Sequence, residues 1–460
     1  MKFINKTKNS VQLEDVNLSI PYNDGLPQEL DTQTIKKSFA FQQIVAMGGF
    51  EVIEASSDRL ETNLLRISRS IEQPVDKVVE RLPSGEKIEV ILRGHFYEYT
   101  GYAKVNRNFS MSLAIDNIFV EISPISIRNS DINEVEARML SLLKRQVGKD
   151  AILIDSVVPT HAKPSSKLYN ILYTTAETNR VPKQFIDVTE LYDEVWVTST
   201  FSKQSYEESG CKKRILIVPP IINGNLYSEK GASYVFRPSI KKFVFTSVMT
   251  WGYRKGSDAL VRAFCSQFTG DDDVSLVLLI SEKSKEKQLS IKKEIDKIRS
   301  EFVFPPDIRC CMKGIPEYQM PSFYRACNVF VLPSRGEGFG IPYCEASLCG
   351  LPVISTKYGG QLDFLSNDNS YLVDIDGLEV AEKGKTGVHF WDGYSFPRLK
   401  SDDFIERLGE SMRYVYSNYE EAKQKNIVLQ SKIRQNFLGE TISKIVKPRL
   451  EEIWKSRSGK

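Results

Sequence analysis

The sequence predicts an α/β protein built from parallel sheets, with two such domains preceded by a small α+β module. Three observations indicate this class. Short apolar runs typical of buried strands alternate with helical stretches along most of the chain. Several of these runs end in loops rich in glycine or proline. The length of 460 residues is enough for two or three domains.

The composition is that of an ordinary globular protein, with 41% hydrophobic and 26% charged residues. The net charge of +3, from 62 basic and 59 acidic residues, argues against nucleic acid as the main partner. Seven scattered cysteines without a Cys-x-x-Cys pair suggest reduced thiols. The sequence shows no signal-peptide core and no apolar run of the roughly 18–20 residues that span a membrane. We therefore expect a cytoplasmic location.

The most informative stretch lies between Val331 and Phe364. An apolar strand ends there in the loop Arg335–Gly340, which is followed by a helix at Pro342–Cys349 and a second strand. The glycines of the loop let backbone amides approach a ligand closely, because no Cβ intervenes. A second glycine turn, Gly359–Gly360, follows, and the helix expected after it would also direct its N-terminus at anions. Such units bind anions in the crevice at the strand ends.

Two glutamates accompany this unit. Glu337 lies in the glycine loop and Glu345 lies about one turn inside the helix, so both can face one crevice and accept hydrogen bonds from sugar or ribose hydroxyls. Either one alone could be a charge favoured by the helix macrodipole. Together with the glycines and strands, they resemble the Glu-x7-Glu donor-binding motif of the family 4 retaining glycosyltransferases. The resemblance implies the GT-B fold, in which two Rossmann-like domains face each other across a cleft.

The resemblance covers about residues 86–450 and predicts the domain limits. Residues 86–225 would form the Rossmann-like acceptor domain, 237–400 the Rossmann-like nucleotide-sugar domain, and 401–460 terminal helices that pack back across the domains. Residues 1–85 form the accessory module, with strands predicted at 11–13, 16–20 and 50–53 and a helix at 35–47. This module carries no chemical constellation. A docking or oligomerisation role and a purely structural role both stay open.

The first domain supplies the candidate acceptor residues. After the strand at Lys87–Leu92, Gly101 resembles the loop glycine beside the acceptor, and His95 either lines the acceptor site or caps the strand. In the family, a histidine in a loop such as that of His161 often lies beside the transferred sugar; the alternative is an exposed loop residue. The segment around Glu177 is similar to a Tyr-Thr-x-Glu segment followed by a Val-Trp-Val-x-Ser strand. Glu177 is therefore a candidate acceptor carboxylate or else a helix N-terminal charge.

A basic turn is expected to meet the donor diphosphate. Arg254 and Lys255, followed by glycine, match a basic segment of the family, and charge-assisted bonds to phosphate are strong. The alternative is a solvated basic turn. Many family members carry another arginine just after the preceding strand, where Met249 and Thr250 stand here. The diphosphate would then be held by this turn alone or by a further residue. Ser257 is expected to cap the helix that follows.

The resemblance thus implies a retaining, metal-independent hexosyltransferase that moves a hexose from a nucleotide-diphosphate sugar to a hydroxyl of a glycan, a lipid-linked glycan or a protein. The sugar nucleotide is a co-substrate, and no cofactor is implied. The catalytic residues would be Glu337, Lys255, Arg254 and His161. The donor-binding residues would be Glu345, Gly338, Phe339, Gly340, Gly359 and Gly360. The acceptor-binding residues would be Gly101, His95 and Glu177.

Other hypotheses stay open beside this one. The missing arginine and the N-terminal module are compatible with an inactive GT-B homologue that serves as a binding subunit of a glycosylation complex. A Rossmann oxidoreductase is disfavoured, because no strand leads into G-x-G-x-x-G with an acidic residue about 20 positions later. A peripheral membrane contact and oligomerisation through residues 1–85 are compatible with the family. The loop at 377–397, with Trp391, is either an aromatic lid or a packed surface loop.

Overall fold

The computed structural model describes residues 88–98, 100–115, 118–126, 140, 143, 146–312, 314–386 and 389–458, together with short strands before residue 55. Those strands are β1 (Lys2–Asn5), β2 (Val11–Leu13), β3 (Leu18–Ile20), β4 (Gln28–Glu29) and β5 (Phe50–Glu54). β1 pairs antiparallel with β4 and β5, and β2 pairs with β3. The strands predicted in this region are confirmed. The helix predicted at 35–47 lies outside the described residues.

The chain divides into two compact units, which are residues 1–151 with 230–232, and residues 152–229 with 233–460. In the first unit, the parallel strands β6 (Glu89–Gly94) and β7 (Phe119–Pro124) are connected by α1 (Gly101–Ile115). Residues of β6 alternate between half-buried and buried, as expected of a strand packed on one face.

The second unit begins with four parallel strands in sequential order. They are β8 (Ile152–Ser156), β9 (Tyr169–Thr174), β10 (Glu194–Val197) and β11 (Arg214–Ile217). Helix α2 (Lys183–Thr189) precedes β10, and α3 (Thr200–Glu208) follows it. Every residue of β8 and β10 is buried, which is the pattern of parallel strands covered on both faces. We refer to residues 152–229 as the first half of this unit.

The remainder of this unit, its second half, contains a six-stranded parallel sheet. Its strands are β12 (Phe243–Met249), β13 (Val274–Ile280), β14 (Asp307–Cys311), β15 (Val329–Leu332), β16 (Val353–Thr356) and β17 (Tyr371–Val373). Its helices are α4 (Ser257–Gln267), α5 (Lys285–Arg299), α6 (Met320–Arg325) and α7 (Ile341–Leu348).

The strand order of this sheet, β14-β13-β12-β15-β16-β17, positions the candidate site. The chain moves outward from β12 to β14 and then returns to place β15 on the other side of β12. The loops that follow β12 and β15 therefore leave the sheet side by side, and the chain continues from them in opposite directions across the sheet. This arrangement is a topological switch point. In open α/β sheets, ligands bind at the carboxyl ends of the strands at such a point.

The loop at 377–397 is packed rather than free. It contains the hairpin of β18 (Leu378–Val380) and β19 (Ser395–Pro397). Trp391 is buried, and its ring centroid lies 5.7 Å from that of Phe185 on α2. The structure therefore shows the packed-loop alternative, with an aromatic contact between the two halves of the unit.

Helices close the second unit. They are α8 (Asp402–Ser417), α9 (Tyr419–Asn436) and α10 (Gly439–Ser458). Asn426 on α9 accepts a hydrogen bond of 2.7 Å from Ser347 on α7. On α10, Arg449 lies 2.9 Å from the buried Glu194 of β10, so the last helix is anchored on the first half. Among the described residues, no helix has the length and apolarity needed to cross a membrane.

Two local predictions are wrong. Ser257 does not cap α4, because Gly256 occupies the N-cap position and the Ser257 hydroxyl instead accepts from the Gly252 amide at 2.9 Å. Likewise, the element after Gly359 is a single 3₁₀ turn, Gly360–Asp363, and not a helix. Four residues form too few aligned peptide dipoles to act as a helix N-terminus.

Candidate functional site

The candidate site is built where β12 and β15 end side by side. A 3₁₀ turn, Tyr253–Lys255, follows β12, and the glycine loop follows β15. Two hydrogen bonds lock the loop to the turn, because the Arg335 amide donates to the Arg254 carbonyl at 2.6 Å and the Ser334 hydroxyl donates to it at 3.1 Å. The position of Arg254 and Lys255 therefore depends on the loop that carries Glu337.

Arg335 strengthens this connection, and the sequence analysis missed it. The side chain is fully buried, its Nη1 donates to the Tyr253 carbonyl at 2.6 Å, and its guanidinium lies 4.2 Å above the Tyr253 ring. Asp258 is its acidic neighbour at 3.5 Å. A planar guanidinium suits such stacking better than a lysine would. An arginine inside an otherwise small and glycine-rich loop is the signal that could have identified it.

Lys255 and Glu337 form an ion pair at the centre of the site. Burial alone would raise the pKa of Glu337, but Lys255 and Arg254 together hold it below its usual value. Burial and the neighbouring Arg254 lower the pKa of Lys255, and Glu337 opposes that shift. The structure thus brings together a carboxylate and two cations that are distant along the chain.

Glu177 joins this cluster from the first half. Its Oε1 lies 3.1 Å from Nη1 of Arg254. The same nitrogen donates to the Gly336 carbonyl at 2.7 Å and lies 3.6 Å from Oε1 of Glu337. Burial alone would lower the pKa of Arg254, but Glu177 and Glu337 raise it. We call the four side chains Glu177, Arg254, Lys255 and Glu337 the ion cluster.

Two glycines of the loop allow close packing against the first half of the unit. A Cβ on Gly336 would lie 2.1 Å from the Glu177 carbonyl oxygen, and one on Gly338 would lie 1.7 Å from Thr175 Oγ1. At these positions the first half of the unit packs closely against the loop backbone, so a side chain would not fit. The contact of the Gly338 backbone with a donor stays a prediction.

Small hydroxyl side chains of the first half hold the loop, and the sequence analysis did not single them out. Thr198 Oγ1 donates to the Gly338 carbonyl at 2.9 Å and lies 2.7 Å from Thr175 Oγ1. Ser202 Oγ accepts from the Ala176 amide at 3.0 Å. Thr175 directly follows β9, and Thr198 directly follows β10. Polar side chains placed directly after apolar strands are the signal that could have identified them.

Glu345 occupies a separate, buried position on α7. Its Oε2 accepts a hydrogen bond of 3.2 Å from the Tyr324 hydroxyl. Burial and the nearby Glu345 raise the pKa of Tyr324 well above its usual value, so this phenol stays a donor. Tyr324 therefore orients the second glutamate of the motif.

The second glycine turn supports the backbone of the first glutamate. The Gly360 amide donates to the Glu337 carbonyl at 2.7 Å, and a Cβ on Gly360 would lie 2.1 Å from the Gly338 carbonyl oxygen. Gly359 has a φ of 109°, which favours glycine. Gly359 and Gly360 thus position Glu337, and their contact with a donor stays a prediction.

The remaining predicted residues lie outside the ion cluster. His161 is exposed at the end of the 3₁₀ turn Pro159–His161, which follows β8. In the first unit, His95 Nδ1 lies 3.3 Å from Glu98, and Gly101 begins α1. The Phe339 side chain is buried against Phe364, so only its backbone could serve a ligand. The sugar and acceptor roles of these residues stay predictions.

The fold and the site define the class of protein. Two parallel sheets with glycine loops at the strand ends form the GT-B fold, and solved structures share it. Sucrose-phosphate synthase from Thermosynechococcus elongatus is similar with a TM-score of 0.58 over 80% of this chain and 100% of that chain, at 13% identity. Anabaena HepE in complex with UDP-glucose is similar with a TM-score of 0.55 over 79% and 100%, at 12% identity. The predicted fold class is confirmed.

The sequence comparison confirms the family resemblance. Residues 240–385 match the family model described as glycosyl transferases group 1. A GDP-mannose-dependent alpha-(1-6)-phosphatidylinositol monomannoside mannosyltransferase from Mycolicibacterium smegmatis is 28% identical over 134 residues. The alignment covers 28% of this chain and 33% of that enzyme, so the chain spans about a third of the length of this relative.

Proposed function

We propose that the protein is a glycosyltransferase that moves a hexose from a nucleotide-diphosphate sugar to a hydroxyl acceptor. The observation that carries this proposal is the pairing of Lys255 and Arg254 with Glu337 at the switch point of the second-half sheet. Related proteins support the proposal, since one is named as a GDP-mannose-dependent mannosyltransferase and a structural neighbour was solved with UDP-glucose.

The charges of the site suit a sugar diphosphate. Arg254 and Lys255 offer two cations for the phosphate oxygens, and the N-terminus of α7 adds favourable backbone dipoles. Glu345, oriented by Tyr324, would accept hydrogen bonds from the ribose hydroxyls. Glu337 and the amides of Gly338, Phe339 and Gly340 would hold the sugar ring.

The cations would also stabilise the leaving group. When the bond between the sugar C1 and the diphosphate oxygen breaks, negative charge grows on the diphosphate. Positive groups that are already in place stabilise this charge without reorganisation. The family resemblance suggests that the acceptor oxygen attacks C1 from the same face and passes its proton to the departing phosphate. This step would retain the anomeric configuration, and the proposal assigns it no metal or other cofactor.

The proposal names the acceptor only by its class. A glycan, a lipid-linked glycan or a protein would supply the hydroxyl, with His161, His95, Gly101 and Glu177 as candidate contacts. We place the enzyme in the cytoplasm, where sugar nucleotides are the donors, with peripheral membrane contact if the acceptor is lipid-linked. Residues 1–85 would supply any oligomer contact.

A panel of nucleotide sugars tests this proposal. The full chain is incubated with UDP-, GDP- and ADP-linked hexoses, and release of the nucleoside diphosphate is followed with and without added acceptor sugars. We expect one donor to be consumed and to raise the melting temperature, because a ligand that binds only the folded state stabilises it. Binding of a donor without turnover under any condition would contradict the catalytic proposal and favour a binding subunit.

A further inference from the structure

We infer that Glu177 competes with the donor diphosphate for Arg254, so that this carboxylate must leave the guanidinium when a nucleoside diphosphate binds. The inference rests on the proposed donor site and assigns to Glu177 a role in donor affinity. It concerns a contact between the first and second halves of the second unit, since Glu177 follows β9 and Arg254 follows β12.

The positive and negative charges of the ion cluster are balanced. Arg254 and Lys255 carry two positive charges, and Glu177 and Glu337 carry two negative charges, so the cluster neutralises itself. A diphosphate placed beside these cations would bring further negative charge next to two carboxylates. Like charges in a partly buried site repel strongly, because water screens them less than at the surface. At least one carboxylate should therefore withdraw.

Of the two carboxylates, Glu177 is the one that withdraws. The Glu337 side chain is only 8% exposed, pairs with Lys255, and belongs to a backbone held by the Gly360 amide at 2.7 Å. Glu177 is 23% exposed and forms its ion pair with Arg254, at 3.1 Å. Glu177 is therefore closer to solvent and breaks fewer ion-pair contacts on withdrawal than Glu337 would.

The backbone of Glu177 need not move when its side chain withdraws. Its carbonyl packs against Gly336, where a Cβ would lie only 2.1 Å away. Rotation of the side chain would break the pair with Arg254 and leave this packing intact. Phosphate oxygens would then bind the guanidinium nitrogen, Nη1, that Glu177 contacts in this structure.

Neutralising Glu177 tests the inference. The dissociation constants of UDP, GDP and ADP are measured by calorimetry for the wild type and for Glu177→Gln, at one ionic strength. We expect the diphosphate that binds the wild type to bind Glu177→Gln on the order of tenfold more tightly, because it no longer displaces a charged partner. Glu208→Gln is the matched control, since Glu208 pairs with Arg180 on the same half and outside the ion cluster. Its affinity should equal that of the wild type.

Equal or weaker binding by Glu177→Gln would overturn the inference and favour Glu177 as an acceptor carboxylate. Absence of binding in both proteins would instead contradict the donor site itself, so the two failures are distinguishable. Should Glu177→Gln not fold, Glu177→Asp supplies a second test. Its shorter side chain retains the charge but reaches Arg254 less well, so affinity should rise by a smaller factor. Unchanged affinity in this variant would also contradict the inference.

Discussion

The Lys255 ammonium pairs with the Glu337 carboxylate, although 82 positions separate the two residues along the chain. The pair forms because β12 and β15 are neighbours in the sheet and both loops leave at the same edge. This single contact connects the basic turn with the Glu-x7-Glu motif. The following predictions depend on it and on the contacts around it.

Removing the Lys255 ammonium should slow sugar transfer. In Lys255→Ala, we expect turnover to fall by about 10²–10³-fold, because one preorganised cation at the leaving diphosphate is lost. The measurement is the rate of nucleoside diphosphate release at saturating donor. Lys183→Ala, which alters an exposed lysine on α2, is the control and should retain the full rate. A Lys255→Ala protein as fast as the wild type would refute the assigned role.

Acid should weaken the folded state in part through Glu337. Its pKa in the folded protein lies below the usual value, so it stabilises the fold above its unfolded-state pKa and loses that contribution as pH falls through its folded-state pKa. The free energy of unfolding, measured in urea between about pH 7 and pH 3, should therefore fall less steeply for Glu337→Gln than for the wild type. Identical pH dependence in the two proteins would show that the ion cluster does not favour the ionised carboxylate.

A methyl group at Gly338 should destabilise the protein. The added Cβ would lie 1.7 Å from Thr175 Oγ1, so the loop or the threonine must shift. We expect Gly338→Ala to lower the free energy of unfolding by about 1–3 kcal/mol, as overpacking commonly does. The matched control is Gly314→Ala, because a Cβ there meets nothing within 4 Å. Equal melting temperatures for both variants would argue against close packing of the loop on the first half.

Loss of the Tyr324 hydroxyl should weaken donor binding through Glu345. Tyr324→Phe keeps the buried ring but removes the 3.2 Å hydrogen bond to Glu345. A hydrogen bond to a charged group contributes about 1.5–3 kcal/mol, so we expect the donor KM to rise roughly tenfold or more, with a smaller change in kcat. Tyr318→Phe, at an exposed tyrosine, is the control. A fall in kcat at unchanged KM would instead place the effect on the chemical step.

The sequence was informative wherever a structural feature depends on neighbouring residues. The strand predicted at 11–13 forms β2 with those limits. The expected strand, loop, helix and strand of the motif are also present, with α7 at Ile341–Leu348. Periodicity and glycine or proline signals act over a few residues, so they can be recognised without knowledge of the partner elements.

The tertiary structure decided the features that depend on distant partners. Nothing near Glu177 in the sequence indicates its pairing with Arg254, and nothing near Gly338 indicates that Thr175 occupies the space beside it. The contact between the first half and the glycine loop exists only in the assembled fold. The sequence by itself determined the strands, the glycine turns and the identity of the charged residues. The assembled fold decided which charges meet, because the order of strands in the sheet brings together loops that are remote along the chain.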